Sequence, residues 1–290
     1  MANSEKIAVT GATGQLGRMV IDDLLKVAPD AKVIGLVRNP AAAKGLADRG
    51  VEFRTANYDD PASVAAALAG VDKVLLISSN EIGRRVEQHR NVIEAAKNAG
   101  VKLIAYTSIL HADRSPMALA IEHRETEKLI LASGVPFVLL RNGWYTENYT
   151  GNVAAAIQHG AVVGAARGGR ISSAARADFA AAAAAVLASR ENQAGKIYEL
   201  AGDSAFTLSD YAAEIAKQSG KPIVYKDLPE ADYKAVLQSV GLPEAFAGLL
   251  AESDTKAAND SLYDESRQLS RLIGRPTTTL AQSVSAALAA

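Results

Sequence analysis

The sequence predicts an α/β protein: a doubly wound parallel sheet with a smaller C-terminal α+β lobe. Three observations predict it. Short β-branched runs alternate with segments whose apolar residues recur at helical spacing. The runs lack a polar face, as strands covered on both sides do. A glycine-rich turn follows the first run, at the end of a strand where such sheets bind ligands.

In chain order, KIAVT, KVIGLV, VEFRTA, KVLLIS, KLIAYTS and PFVLLR read as six strands, each next to a helical pattern. Six such units indicate the doubly wound sheet and place a dinucleotide-binding domain over residues 1–150. After Arg141 the rhythm changes. NGWYTENY is polar and aromatic, and GAARGGR is a glycine-rich loop leading to a helix that begins near Arg176. IYELAG, TLSDYAAEIAKQSG and IVYKDL then read as strand, capped helix and strand, with Thr207 or Ser209 as the N-cap. LPEAFAGLL and PTTTLAQSVSAALA read as further helices. Residues 151–290 are thus expected to form the smaller lobe, covering the sheet's carboxyl edge, with the chain free to cross between the two.

Composition narrows the partners. The net charge is −1 with no long run of one sign, so there is no electrostatic footprint for nucleic acid or an anionic membrane. No cysteine is present, which removes disulfide and thiolate chemistry and fits a reducing compartment. MANSEKIAVTGATG enters a strand without a signal-peptide pattern, and no apolar run reaches membrane-spanning length. A cytoplasmic protein with small-molecule partners is expected. Its apolar helix faces would serve a homodimer as well as a core.

TGATGQLG sets Gly11, Gly14 and Gly17 three apart, between a strand and a helix starting near Gln15. Glycine is needed there for the sharp turn, for close approach of backbone to a pyrophosphate, and for helix–strand packing. The helix start then offers unpaired N–H groups to phosphate, so Gly11, Ala12, Thr13, Gly14, Gln15 and Leu16 form the expected cradle. The second strand ends in VRNP. Arg38 stands where NAD-specific proteins place a carboxylate on the ribose 2′-hydroxyl, and a guanidinium suits a 2′-phosphate instead, so NADPH is the expected cofactor. Asn39 is a possible helper and Lys44 a weaker one. Ser78, Ser79 and Asn80, after strand four, either contact the cofactor or simply shape the loop.

These segments, with HRNVIEAAKNAGVKLIAYTS, YTSILHAD and LLRNGWYTENY, resemble the NmrA-like branch of the atypical short-chain dehydrogenases over essentially the whole chain. Within that branch they are most similar to the bacterial NADPH:quinone oxidoreductase type, with triphenylmethane reductases more distant. The resemblance implies a Rossmann-type fold, NADPH binding and hydride transfer to a quinone. It also implies that Asn142, Gly143, Trp144, Tyr145, Thr146 and Glu147 contact the nicotinamide end, with Asn142 and Tyr145 the candidates for catalysis.

The wider superfamily uses a Ser and a Tyr-x-x-x-Lys pair as a proton relay. In AIEHRETEKLI, Ser108 has the Ser position, but His123 and Glu127 stand where Tyr and Lys would be. Lys128 is one step further, turned by about 100° around a helix. Ketone reduction makes a basic alkoxide that needs a positioned acid; quinone reduction makes a delocalised, weakly basic anion that solvent can protonate. The missing pair therefore points to quinone-like acceptors. His123 could still serve as an acid, although a helix-face histidine with no direct role, in an i, i+4 surface pair with Glu127, explains it better. A metal is not expected, since no third ligand has suitable spacing. Arg170 and Arg176 could reach cofactor phosphate or pair with a carboxylate such as Asp178, and His111 could border a pocket.

Two functions remain open at this level. One is an NADPH-dependent quinone reductase with direct two-electron transfer and no flavin. The other is a dinucleotide-binding redox sensor without turnover.

Overall fold

The structure, a computed structural model, describes residues 4–43 and 49–290. Lys44 lies outside the described residues. The chain divides into two compact units, neither of them continuous in sequence.

The first unit runs through Ile109 and takes up Glu122–Asn142 and Ala177–Tyr198. Its strands are β1 (Lys6–Val9), β2 (Lys32–Val37), β3 (Glu52–Thr55), β4 (Lys73–Leu76), β5 (Leu103–Ile109) and β6 (Phe137–Asn142). They alternate with helices α1 (Gln15–Val27), α2 (Pro61–Leu68), α3 (Arg85–Asn98) and α4 (Leu119–Ser133). The sheet order is β3-β2-β1-β4-β5-β6-β8, the last being Lys196–Leu200; the strands from β3 to β6 pair in parallel, and the winding reverses between β1 and β4. A crevice outside the carboxyl ends of those two strands is the expected ligand site of such a sheet. All seven residues of β5 are buried, which fits its lack of any charged residue. On one side of the sheet Ile34, Leu68, Val74, Leu76, Val92 and Tyr106 share a core. Truncating such a leucine to alanine costs about 2–5 kcal/mol.

The seventh strand corrects the sequence reading. IYEL lies in β8 (Lys196–Leu200), which joins the main sheet beside β6, although Glu199 and Leu200 at its end are counted with the second unit. The alanine-rich α7 (Arg176–Ala188) leads to it, burying eight of its residues because small side chains let a helix pack closely around most of its circumference. Local pattern identifies a strand but not its neighbour.

The second unit comprises Leu110–Ile121, Gly143–Arg176 and Glu199–Ala290. It opens with α5 (Glu147–Thr150) and α6 (Val153–His159), then β7 (Ala161–Gly164), which pairs in parallel with β9 (Val224–Asp227). Between them α8 (Leu208–Ser219) starts at Thr207, whose hydroxyl accepts from Asp210 N while the Asp210 carboxylate accepts from Thr207 N. Thr207, rather than Ser209, is the cap. Helices α9 (Glu230–Ser239), α10 (Glu244–Ala257), α11 (Gln268–Ile273) and α12 (Leu280–Leu288) complete the unit. Among the described residues no helix is long and apolar enough to cross a membrane.

Candidate active site

The turn after β1 forces the backbone close to itself. Gly11 has φ +58°, in the left-handed region that glycine adopts without strain. A Cβ on Gly17 would lie 2.3 Å from the Gly11 carbonyl oxygen, so only glycine permits α1 to start this near the strand. Arg18 Nε donates to Thr13 O at 2.9 Å and fastens the turn. No side chain caps α1 at Gly14, leaving its first N–H groups for a ligand. Gly11, Thr13 and Gly14 line a cavity, whereas Ala12 and Leu16 are buried in the core and Gln15 is exposed.

That cavity, of about 470 Å³, is built from the carboxyl ends of four parallel strands. Arg38 and Asn39 end β2, Asn57 and Tyr58 follow β3, and Ser78, Ser79, Asn80 and Glu81 follow β4. The Arg38 side chain is 73% exposed, with Nη1 3.4 Å from Glu81 Oε1. Tyr58 donates its hydroxyl to Ile77 O at 3.2 Å, and burial pushes its phenol above the usual range, keeping it a neutral donor. The cradle of backbone at Gly11–Gly14 and the open guanidinium at Arg38 fit a phosphorylated dinucleotide.

Helix α3 grips Ser79 at every polar atom. Ser79 N donates to His89 Nε2 at 2.9 Å, Ser79 O accepts from Arg85 Nε at 2.7 Å, and Ser79 Oγ donates to Gln88 Oε1 at 2.5 Å. The bond from Ser79 leaves His89 Nε2 unprotonated, so Nδ1 bears the hydrogen and donates to Thr126 Oγ1 at 3.0 Å; Thr126 in turn donates to Glu122 O at 2.8 Å. Burial, helped by the Arg85 charge, pushes His89 down to about 3, consistent with this neutral form. Ser79 is therefore a loop anchor. Ser78 is placed through its backbone, which donates to Thr107 Oγ1 at 2.9 Å.

The positions of the missing Tyr and Lys form two buried contacts. Glu127 accepts from Ser108 Oγ at 2.6 Å and from Arg141 Nε and Nη2 at 3.0 and 2.8 Å. His123 Nδ1 lies 2.7 Å from Tyr106 OH, and burial, then the charge of Arg85, hold the imidazole well below its ordinary range. An exposed helix-face pair was expected of His123 and Glu127. Instead they are 5% and 7% exposed, because the far ends of β5 and β6 supply a phenol, a hydroxyl and a guanidinium to satisfy them. His123 is not among the residues lining the cavity. Lys128 is exposed and pairs with Glu125 at 2.8 Å.

Asn142 ends β6 with 6% exposure and an Oδ1 that has no hydrogen-bond partner. A buried orphan acceptor is costly unless something fills it. In the second unit Gly143 N donates to Leu200 O at 2.7 Å, and a Cβ on Gly143 would stand 3.1 Å from that oxygen. Trp144 and Tyr145 are half-buried; the Arg176 guanidinium lies 4.6 Å from the centre of the Tyr145 ring. Thr146 Oγ1 is 2.8 Å from Ser173 Oγ, and both Glu147 carboxylate oxygens accept from Arg176 N at 2.9 and 3.0 Å. Tyr149 packs against Phe206 and Tyr211. Arg170 makes paired bonds to Asp260 at 3.0 and 2.6 Å and stacks on Tyr263. His111 lies 3.5 Å from Glu199 and 3.7 Å from Asp264. Among the described residues no group of three His, Cys, Asp or Glu is placed to hold a metal.

Sequence reasoning missed Tyr58, Glu81 and Gln88 in the cavity and His89 behind it. NYDD, directly after the third strand, was the available signal, since every parallel strand delivers its next residues to the same edge.

Comparisons with known proteins agree with this architecture. Quinone oxidoreductase 2 of Escherichia coli (strain K12) is 58% identical over 279 residues, spanning 96% of this chain and 97% of that protein. The crystal structure of NADPH-dependent quinone oxidoreductase QOR2 from E. coli, complexed with NADPH, superposes with a TM-score of 0.94 at 57% identity, covering 97% of this chain and 99% of that one. Triphenylmethane reductase of Citrobacter sp. complexed with NADP(H) gives 0.92 at 38% identity, with coverage of 97% and 99%. The NmrA-like family model matches residues 3–284, and the chain belongs to that family.

Proposed function

We propose that this chain is an NADPH-dependent quinone reductase, acting in the cytoplasm on a small quinone acceptor without a flavin. The quinone oxidoreductase that shares 58% of its residues supports the activity, and the NADPH complex of its E. coli counterpart supports the cofactor. When bound, NADPH supplies a hydride, which with one proton from solvent converts the quinone to hydroquinone and leaves NADP⁺.

The chain's own residues bind and orient. Gly11, Thr13 and Gly14 with the open start of α1 receive the pyrophosphate, while Arg38, assisted by Asn39, receives the 2′-phosphate. Ser78 and Asn80 face the ribose side. Asn142 offers its unpaired Oδ1 to an N–H donor, and Tyr145, half-buried in the second unit, is the candidate stacking and hydrogen-bonding partner of the acceptor.

The observation that carries the reading is the state of Glu127. Its carboxylate is occupied by Ser108 and Arg141, and the neighbouring imidazole of His123 is kept neutral. Neither position can lend a proton to an alkoxide. General acid help is worth roughly 10²–10⁴ in rate, a loss that an electrophilic quinone tolerates and a ketone does not. The test is NADPH oxidation by purified protein with benzoquinones and naphthoquinones, alongside the protein's visible spectrum. Turnover by colourless protein is the expected result. Tight NADPH binding without turnover on any quinone would replace the enzyme with a sensor, and a stoichiometric flavin spectrum would overturn direct transfer.

A further inference from the structure

The cavity holds a carboxylate that the reading above does not use. We propose that Glu81 tunes dinucleotide selectivity by competing with a 2′-phosphate for Arg38; this rests on the assignment of Arg38 as the phosphate-reading residue. Among the described residues, Glu81 is the only carboxylate within ion-pair distance of Arg38, with Oε1 3.4 Å from Nη1. Both residues line the cavity.

Glu81 is held there independently of Arg38. Its Oε2 accepts from Gln88 Nε2 at 2.9 Å and lies 3.4 Å from Arg84 Nη1. Gln88 is 2% exposed and is itself fastened to Ser79 at 2.5 Å and Asp59 at 3.1 Å. Arg84 is tied to Asp59 at 2.8 Å. The carboxylate is thus supported by a buried amide on α3, and it stays on the cavity wall when an anion arrives.

Two consequences follow from charge. A 2′-phosphate approaching Arg38 must take the guanidinium from Glu81 and then sit near a fixed negative charge, which weakens its binding. A ribose with a free 2′-hydroxyl meets no repulsion and finds an acceptor, as it would on the β2 carboxylate of an NAD-specific protein, although this one comes from the loop after β4. Glu81 therefore lowers the preference for phosphorylated cofactor below what Arg38 alone would impose, and leaves the site open to NADH.

The test is calorimetric binding of 2′,5′-ADP and of ADP to the wild-type chain, Glu81→Gln and Arg38→Ala, with melting temperatures as a check on folding. Gln retains an oxygen for the Gln88 amide but removes the charge. The ratio of 2′,5′-ADP to ADP affinity is expected to rise about tenfold in Glu81→Gln and to rise less at high salt, where the charges are screened. The ratio of kcat/KM for NADPH over NADH is expected to follow. A ratio unchanged or lowered in Glu81→Gln, while Arg38→Ala still abolishes the wild-type preference, would overturn the role of Glu81 alone. An Arg38→Ala variant that keeps the wild-type ratio would overturn the Arg38 assignment and the Glu81 proposal with it.

Discussion

Glu127 and Arg141 face each other across α4 and β6 with two bonds of 3.0 and 2.8 Å, and each side chain is 9% exposed. A pair this buried is costly to break, because the charge left behind stays in a desolvated setting. Removing one member strands the other, at about 3–5 kcal/mol. Glu127→Gln is therefore expected to lower unfolding stability by about that amount in chemical denaturation, with a smaller loss for Ser108→Ala, which removes only one bond. Glu127→Lys, which restores the residue of the wider superfamily, would put two cations together and is expected to be the least stable of the three.

The same relationship predicts that chemistry cannot be restored by simple reversion. His123→Tyr with Glu127→Lys is expected to yield no ketone reduction. Tyr106 already fills the space beside residue 123, and Arg141 repels the new lysine. Ketone-dependent NADPH oxidation above the wild-type background would contradict this.

His89 and His123 make stability depend on pH. Both are kept neutral in the folded chain, His89 down to about 3 and His123 well below its ordinary value, whereas both protonate near 6.5 when unfolded. The unfolded state then binds the extra protons, so the contribution is full above about pH 6.5 and is lost as pH falls toward the folded values. Each histidine adds a slope of at most about 1.4 kcal/mol per pH unit. Asp254, which burial pushes up to about 6, acts in the opposite sense between its unfolded value and 6 because it holds a proton only when folded. Denaturation series at stepped pH on wild type and His89→Gln separate these: the variant is expected to show a shallower acid slope. The Gln carbonyl can still accept from Ser79 N, so NADPH affinity should fall less than in His89→Phe.

Asn142 should show a trade between stability and binding. Its buried Oδ1 has no partner, a deficit worth about 1–3 kcal/mol. Asn142→Leu is expected to melt at or above the wild-type temperature while KM for NADPH rises. A lower melting temperature with unchanged KM would mean that the amide serves the fold and not the ligand.

At the glycine turn the close approach decides the order of effects. Gly17→Ala would place its Cβ 2.3 Å from the Gly11 oxygen, so it should destabilise more than Gly14→Ala, whose Cβ would lie 3.1 Å from the same atom. Both are expected to weaken NADPH binding, and paired melting and titration curves rank them.

Much of this was visible in the sequence, and the remainder was hidden for physical reasons. The six strands, the glycines and Arg38 are local signals: periodicity, turn geometry and the residue at one strand tip. The place of β8 is not local, because IYELAG would read the same in either sheet. The burial of His123 and Glu127 depends on what β5 and β6 bring opposite them, so a helix-face pattern could not distinguish a solvated pair from a buried one. Glu81 escaped notice because its meaning comes from Arg38, which ends a strand two places away in the sheet. Tyr58 and Gln88 were hidden likewise, joined to the site only when parallel strands bring their ends together.

The most direct test is single-turnover oxidation of NADPH, deuterated at the transferred position, on mixing the enzyme–NADPH complex with a naphthoquinone from about pH 6 to about pH 9. Hydride transfer without a protein acid predicts a primary isotope effect and a rate that does not titrate in that range, in wild type and in Ser108→Ala alike. A rate that follows a single ionisation and loses that dependence in Ser108→Ala would show that the chain supplies the proton after all.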